Sequence, residues 1–200
     1  MDKKAVIFDF DNVLYPERDF LLQVYYLFAH FVEFTTGEAV ANELLERFKA
    51  EYEASGTEQL FSRVQDKFPI IGEFNENFER LHHQAQLPLK LQLNAGMEKL
   101  LTKLVKDDKF ILILTGGDPL GQLNKIKQVE WKGLENHLKL YFEDELNFTQ
   151  TEAIPYISSE LNLSPADLSY MGQSSAILKS AQALGVEIYT GEDLRRLQEN

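Results

Sequence analysis

The chain of 200 residues contains no cysteine. That excludes a disulfide framework, a thiolate metal site and a cysteine nucleophile. Long apolar runs are missing too. Stretches such as Phe110–Leu114 fall far short of the roughly 20 residues that a membrane helix needs. Basic residues are few, 20 against 32 acidic, and the formal net charge is −12. A field of that sign repels the phosphate backbone of nucleic acids, and no basic stripe interrupts it, so neither nucleic acid nor a membrane is an expected partner. Eleven glycines and six prolines are too few for a collagenous or low-complexity chain. Of the four histidines only His82 and His83 adjoin. Neighbours in sequence do not share a helix face, and no histidine stands at ligand spacing from them, which leaves structural zinc unsupported. The opening MDKKAVIFDFD has aspartates where a leader would be apolar, and no small-residue cleavage site follows. A cytoplasmic protein is the expectation.

Hydrophobic residues make up 44% of the chain and aromatics 12%, enough for one substantial core, alone or with a modest insertion. Ala5–Phe8 is a short, partly β-branched apolar run that opens into Asp9-Phe10-Asp11-Asn12, the pattern of a buried parallel strand ending in a polar loop. From about Asp19 to Leu87 the apolar period changes to three and four. It runs through Leu21, Tyr25 and Phe28, then Val40, Leu44 and Phe48, then Phe61, Val64, Phe74 and Phe78, with Gly37 and Gly56 at the breaks. This predicts an all-helical insertion over 19–87 within a core formed by 1–18 and 88–200.

In the core, a helix over 96–106 precedes the strand Phe110–Leu114, which ends in Thr115-Gly116-Gly117-Asp118. Pro119 suits the first turn of a helix running to about Trp131. Strand 138–142, a helix near 154–161, strand 168–171 and the loop Gly172-Gln173-Ser174-Ser175 follow, then a helix over 176–184 and a last strand at 186–189. Alternating strands and helices predict an α/β fold with a parallel sheet covered on both faces. Ligands of such sheets bind at the carboxyl ends of the strands, so the loops that matter begin at Asp9, Thr115 and Gly172.

Those loops resemble the motifs of the haloacid dehalogenase-like hydrolase superfamily. FDFDNVLYP, Phe8 to Pro16, is similar to its Asp-x-Asp loop after the first strand, and ILILTGGDP, Ile111 to Pro119, to its second motif, a strand ending in Ser or Thr. The insertion resembles the superfamily's small helical cap, and MGQSSAILKSAQALGVEIYTG, Met171 to Gly191, its fourth-motif region. The resemblance covers essentially the whole chain in matching order and implies a three-layer Rossmann-like core with an inserted cap. It also implies roles. Asp9 would be the nucleophile that forms an aspartyl-phosphate, and Asp11 the acid/base. Thr115 would bind a phosphoryl oxygen, with Gly116, Gly117 and Asn12 lining the substrate. A magnesium ion would sit on the Asp9 carboxylate, the backbone carbonyl of Asp11 and, in place of an aspartate, Gln173. The substrate implied is a small phosphorylated metabolite.

The pattern breaks in two places. The third motif supplies a lysine, yet no Lys or Arg occurs from Leu140 to Leu178, and Gln150 or Thr151 stands about where it belongs. The fourth motif supplies acids, and here Gln173 and Ile177 stand instead. At an effective dielectric near 20, two like unit charges about 4 Å apart repel by roughly 4 kcal/mol. Two aspartates and a phosphate dianion without that lysine are therefore poorly balanced. Lys125 and Lys127 are candidate substitutes, but Lys125 lies about 9 Å along its helix from Pro119, so rescue by either is not expected. The expectation is that no Lys or Arg nitrogen reaches Asp9. Two functions follow: a weak phosphate-ester hydrolase, or a non-catalytic relative that binds a ligand or a protein. Trp131, Phe142 and Tyr170 read as packing residues, as do most of the aromatics in the insertion.

Overall fold

The computed structural model describes residues 3–145 and 152–199. Five strands form one parallel sheet in the order β3-β2-β1-β4-β5: β1 Ala5–Asp9, β2 Phe110–Thr115, β3 Leu138–Phe142, β4 Leu168–Met171 and β5 Glu187–Tyr189. The chain steps outward from β1 to β2 and β3, then crosses to the other side of β1 for β4 and β5. The order therefore reverses between β1 and β4, beside the strand that ends in Asp9.

Alternation along the strands assigns the two faces. Ala5, Ile7, Leu112, Leu114, Leu168 and Tyr170 join a buried cluster with Ile154 and Ile157 of α7 (Ala153–Glu160) and Ile177 and Ala181 of α8 (Ser175–Leu184). The alternate residues Val6, Phe8, Ile111, Ile113 and Met171 are also buried, and α5 (Ala95–Lys106) packs on β2 from its apolar stripe Met97, Leu101 and Leu104. A sheet apolar on both faces is why the strands read as continuous hydrophobic runs.

The chain separates into two compact units, 1–17 with 91–200, and 18–90. In the second unit, α1 (Glu17–Thr36), α2 (Ala41–Ser55), α3 (Leu60–Gln65) and α4 (Asn75–Gln84) surround an aromatic cluster. Phe48 stacks on Tyr25 and on Phe78 at 5.2 Å in both cases, and Phe28 meets Phe78 edge-on at 5.0 Å. His82 lies 4.5 Å from the Phe78 ring, and its Nδ1 is 2.9 Å from the Phe78 carbonyl. It belongs to this packing, and no group of three or more potential metal ligands occurs among the described residues. Gly56 closes α2 at φ +66°, a conformation that favours glycine.

The helical pattern through Phe61, Val64, Phe74 and Phe78 is carried by α3 and α4, with a 3-10 segment at Pro69–Phe74 between them. Two local features differ from the sequence reading. Helix α6 (Pro119–Gln128) stops short of Trp131, because Val129 turns extended and forms a bridge with Leu91. A last helix, α9 (Glu192–Glu199), was not anticipated; its charged sequence offers almost no apolar period. No helix among the described residues is long and apolar enough to cross a membrane.

Candidate active site

β1 pairs with β2 with Asp9 level with Leu114, so Thr115 closes β2 at the same carboxyl edge at which Asp9 closes β1. Past Asp9 the chain alternates sharply. Phe10 is buried against Tyr15 and Trp131, with ring centroids at 4.8 and 6.5 Å. Anchoring Phe10 in this way leaves Asp9 and Asp11 on its two sides as polar groups of one loop. Asn12 then takes φ +63°, and its amide is used locally: Nδ2 donates to Glu17 Oε2 at 3.0 Å and Oδ1 accepts from the Glu17 N–H at 3.2 Å. Expected to line substrate, Asn12 here fixes the start of α1.

Asp9 is held from the β4 side. The Tyr170 hydroxyl donates to Oδ1 at 2.6 Å, and the backbone N–H groups of Gln173 and Ser174 donate to Oδ2 at 2.7 and 3.2 Å. The Ser174 N–H also reaches the Tyr170 oxygen at 3.3 Å. Close approach explains the glycine between them. A Cβ on Gly172 would stand 2.2 Å from the Tyr170 oxygen and 2.5 Å from Asp9 Cγ, so only a residue without one fits. Burial raises the Asp9 pKa above its ordinary value; the three donors oppose this, and the Asp11 charge adds to it. Tyr170 is driven far above the usual phenol range by burial first, then by the Asp9 charge and the hydrogen bond it donates there. It stays a neutral donor. The expectation that Tyr170 only packs is corrected: its ring does pack, but its hydroxyl is a polar contact of the site.

Asp11 is held from the opposite side. Lys125 Nζ lies 3.2 and 3.1 Å from its two oxygens, Gln122 Nε2 donates to Oδ2 at 3.0 Å, and the Tyr15 hydroxyl donates to Oδ1 at 2.5 Å. Lys125 also stands 3.8 Å from Glu17. The expectation that Lys125 lies too far down its helix is overturned. Helical side chains lean toward the N-terminus, so the four-carbon arm returns part of the axial distance and runs beside Gln122, one turn earlier. Lys127 is exposed. Among the described residues no Lys or Arg nitrogen is at ion-pair distance from Asp9. Gln150 and Thr151 lie outside the described residues.

At the end of β2, Thr115 is buried, and its carbonyl accepts from the Glu143 N–H at 3.0 Å. The Gly116 carbonyl accepts from Gln122 Nε2 at 3.0 Å, and Gly117 takes φ +86°. Asp118 then caps α6, its Oδ2 accepting from the Gly121 N–H at 2.6 Å with Pro119 in the first turn. Glu143 is buried nearby, and its charge helps to raise the Tyr170 pKa. Burial, and then Asp11, raise the Glu17 pKa. Neither acid was singled out from the sequence, because neither belongs to a motif. Asp11 and Glu17 thus share one ammonium, Lys125, at 3.1 and 3.8 Å.

The residues do not fit the magnesium ion that the resemblance implies. Both Asp9 oxygens already accept hydrogen bonds from protein donors, and Gln173 points a backbone N–H at that carboxylate while its side chain is exposed. A cation meeting this set would find hydrogen-bond donors where it needs oxygen lone pairs.

The sequence model of the haloacid dehalogenase-like hydrolases matches residues 6–190. No curated protein matches the chain. Similar solved structures include a hydrolase from Streptococcus pneumoniae TIGR4, 13% identical, covering all of both chains at a TM-score of 0.59. A HAD phosphatase from Thermococcus onnurineus is 20% identical over 92% of this chain and 84% of its own, at 0.52. An L-2-haloacid dehalogenase is 17% identical over 93% and 83%, at 0.51. At these identities the structures establish the fold alone.

Proposed function

The chain belongs to the haloacid dehalogenase-like hydrolase family, and on that premise we propose that it is a phosphatase-type member with an incomplete site that slowly hydrolyses an ester of a small phosphorylated metabolite. One observation carries this reading. Asp9 and Asp11 stand in one loop at the carboxyl edge, where the strand order reverses, and a buried lysine accompanies the second of them. Asp9 Oδ attacks phosphorus as the bond to the ester oxygen breaks, and the departing oxygen takes its proton from Asp11, which must first gain that proton from solvent at the expense of its ion pair with Lys125. Water then displaces Asp9 from phosphorus and returns a proton to Asp11. Turnover is weak for two reasons. The three donors stabilise Asp9 as a resting carboxylate, so an oxygen must give up hydrogen bonds before it attacks. The cation stands at Asp11 instead of at the nucleophile, and losing one well-placed charge-stabilising donor lowers rates by about 10²–10³.

A second reading, a non-catalytic relative that binds a ligand or partner, is favoured by the use of Lys125 on Asp11 and Glu17, which leaves Asp9 without a cation and makes a poor setting for a phosphate dianion. Phosphate release from a panel of small phosphate esters, with and without magnesium, separates the two. Slow release that disappears in Asp9→Asn supports the hydrolase. Identical traces for both proteins on every ester favour the binding protein.

A further inference from the structure

The strongest unexplained feature of the molecule is the completeness of the hydrogen bonding around its two site carboxylates. Asp9 accepts from a phenol and two backbone amides, and Asp11 from an ammonium, an amide and a phenol. A carboxylate has about four lone-pair positions, and three donors with good geometry nearly fill them. The donors are also built in. Tyr170 is fully buried, its hydroxyl passes so close to Gly172 that no Cβ fits there, and Lys125 is buried on a helix capped by Asp118.

We propose that Tyr170 and Lys125 together take the place of a divalent cation in this site: the Tyr170 hydroxyl holds Asp9, the Lys125 ammonium holds and neutralises Asp11, and the pair of aspartates is kept oriented without a metal ion. Tyr170 is then a positioning residue, acting through Asp9. The inference rests on Asp9 and Asp11 being the site's carboxylates, and it does not depend on turnover. It follows that removing either donor turns a filled site into a vacant one. Without its hydroxyl, a phenylalanine at 170 leaves Asp9 Oδ1 with no protein donor. Without Lys125, Asp11 and Glu17 face each other with no positive charge between them. Either vacancy offers oxygen lone pairs that a hard cation accepts.

The experiment is thermal unfolding of the full chain in increasing magnesium chloride, with sodium chloride at matched ionic strength as the control, for wild type, Tyr170→Phe, Lys125→Met and Asp9→Asn. Manganese binding followed by electron paramagnetic resonance at 25 °C is the direct readout. Wild type is expected to show no magnesium-specific shift in midpoint and no tight manganese. Tyr170→Phe is expected to gain a site, with the midpoint rising by about 4 °C at ten times the dissociation constant, where the folded population grows about tenfold. Should Tyr170→Phe fail to fold, Lys125→Met and the wild-type manganese titration carry the test. Two results overturn the proposal. One is a magnesium shift in wild type that Asp9→Asn abolishes. The other is a Tyr170→Phe or Lys125→Met variant that folds and gains no cation, which makes these donors structural only. Failure of the ester assay leaves these readings untouched, so the two proposals fail separately.

Discussion

Asp9 and Asp11 stand two residues apart in one loop, and the molecule holds them by opposite means. On the β4 side, Asp9 is fixed by neutral donors alone, and burial raises its pKa. On the α6 side, Asp11 is fixed by a lysine ammonium as well as by neutral donors. The difference shows that orienting a carboxylate and neutralising it are separate tasks. Hydrogen bonds from β4 and its loop do the first for Asp9, and no group among the described residues does the second.

The sharpest way to break the Asp9 side is Gly172→Ala. Its Cβ would collide with the Tyr170 hydroxyl and with Asp9, so urea unfolding is expected to show a loss of about 3 kcal/mol, toward the upper end for overpacking. A loss within experimental error would mean that the contact relaxes freely. Lys125→Met tests the other side. Stripping a mostly buried carboxylate of its cation is expected to cost about 2 kcal/mol, below the fully buried range because Asp11 is partly exposed. Tyr170→Phe is expected to cost about 1.5 kcal/mol, the loss of one hydrogen bond to a charged group. Salt sharpens the contrast. The Lys125→Met difference should shrink as salt rises, whereas the Tyr170→Phe difference should not, since only the first removes an ion pair.

The smallest effect is in pH. Asp9 has a folded-state pKa above its ordinary value near 3.8, so between the two values the native state binds more protons than the unfolded one. Stability therefore falls as pH rises through that window. Asp167 runs the other way. Ser164 and Lys4 hold it down at about 2, so its contribution is present above 3.8 and is lost as pH falls toward 2. Measured against wild type by denaturant titration from acid to neutral pH, Asp9→Asn should gain relative stability with rising pH. A difference that is flat in pH would contradict the Asp9 shift.

Most of the fold was legible in the sequence, because a sheet buried on both faces demands continuous apolar strands and leaves polar loops at their ends. Ala5–Phe8 and Phe110–Leu114 announce themselves in this way. The loops after them carry Asp9, Asp11 and Thr115, and the stretch from Leu140 to Leu178 without Lys or Arg is visible as a gap in charge. Legibility failed where the signal was weak or non-local. Helix α9 has too few apolar residues to show a period, and the end of α6 is decided by a bridge to Leu91, 38 residues earlier in the chain.

The same division holds at the site. The residue types at the strand ends were determined by the sequence alone, since periodicity and loop chemistry act over a few neighbours. That Tyr170 donates to Asp9, 161 residues away, and Lys125 to Asp11, 114 residues away, was decided only when β4 paired with β1 and α6 packed beside them. A tyrosine and a lysine have the same local pattern whether they face a carboxylate or not. Only the tertiary structure sets the direction and length of each arm, and with them which aspartate receives the charge.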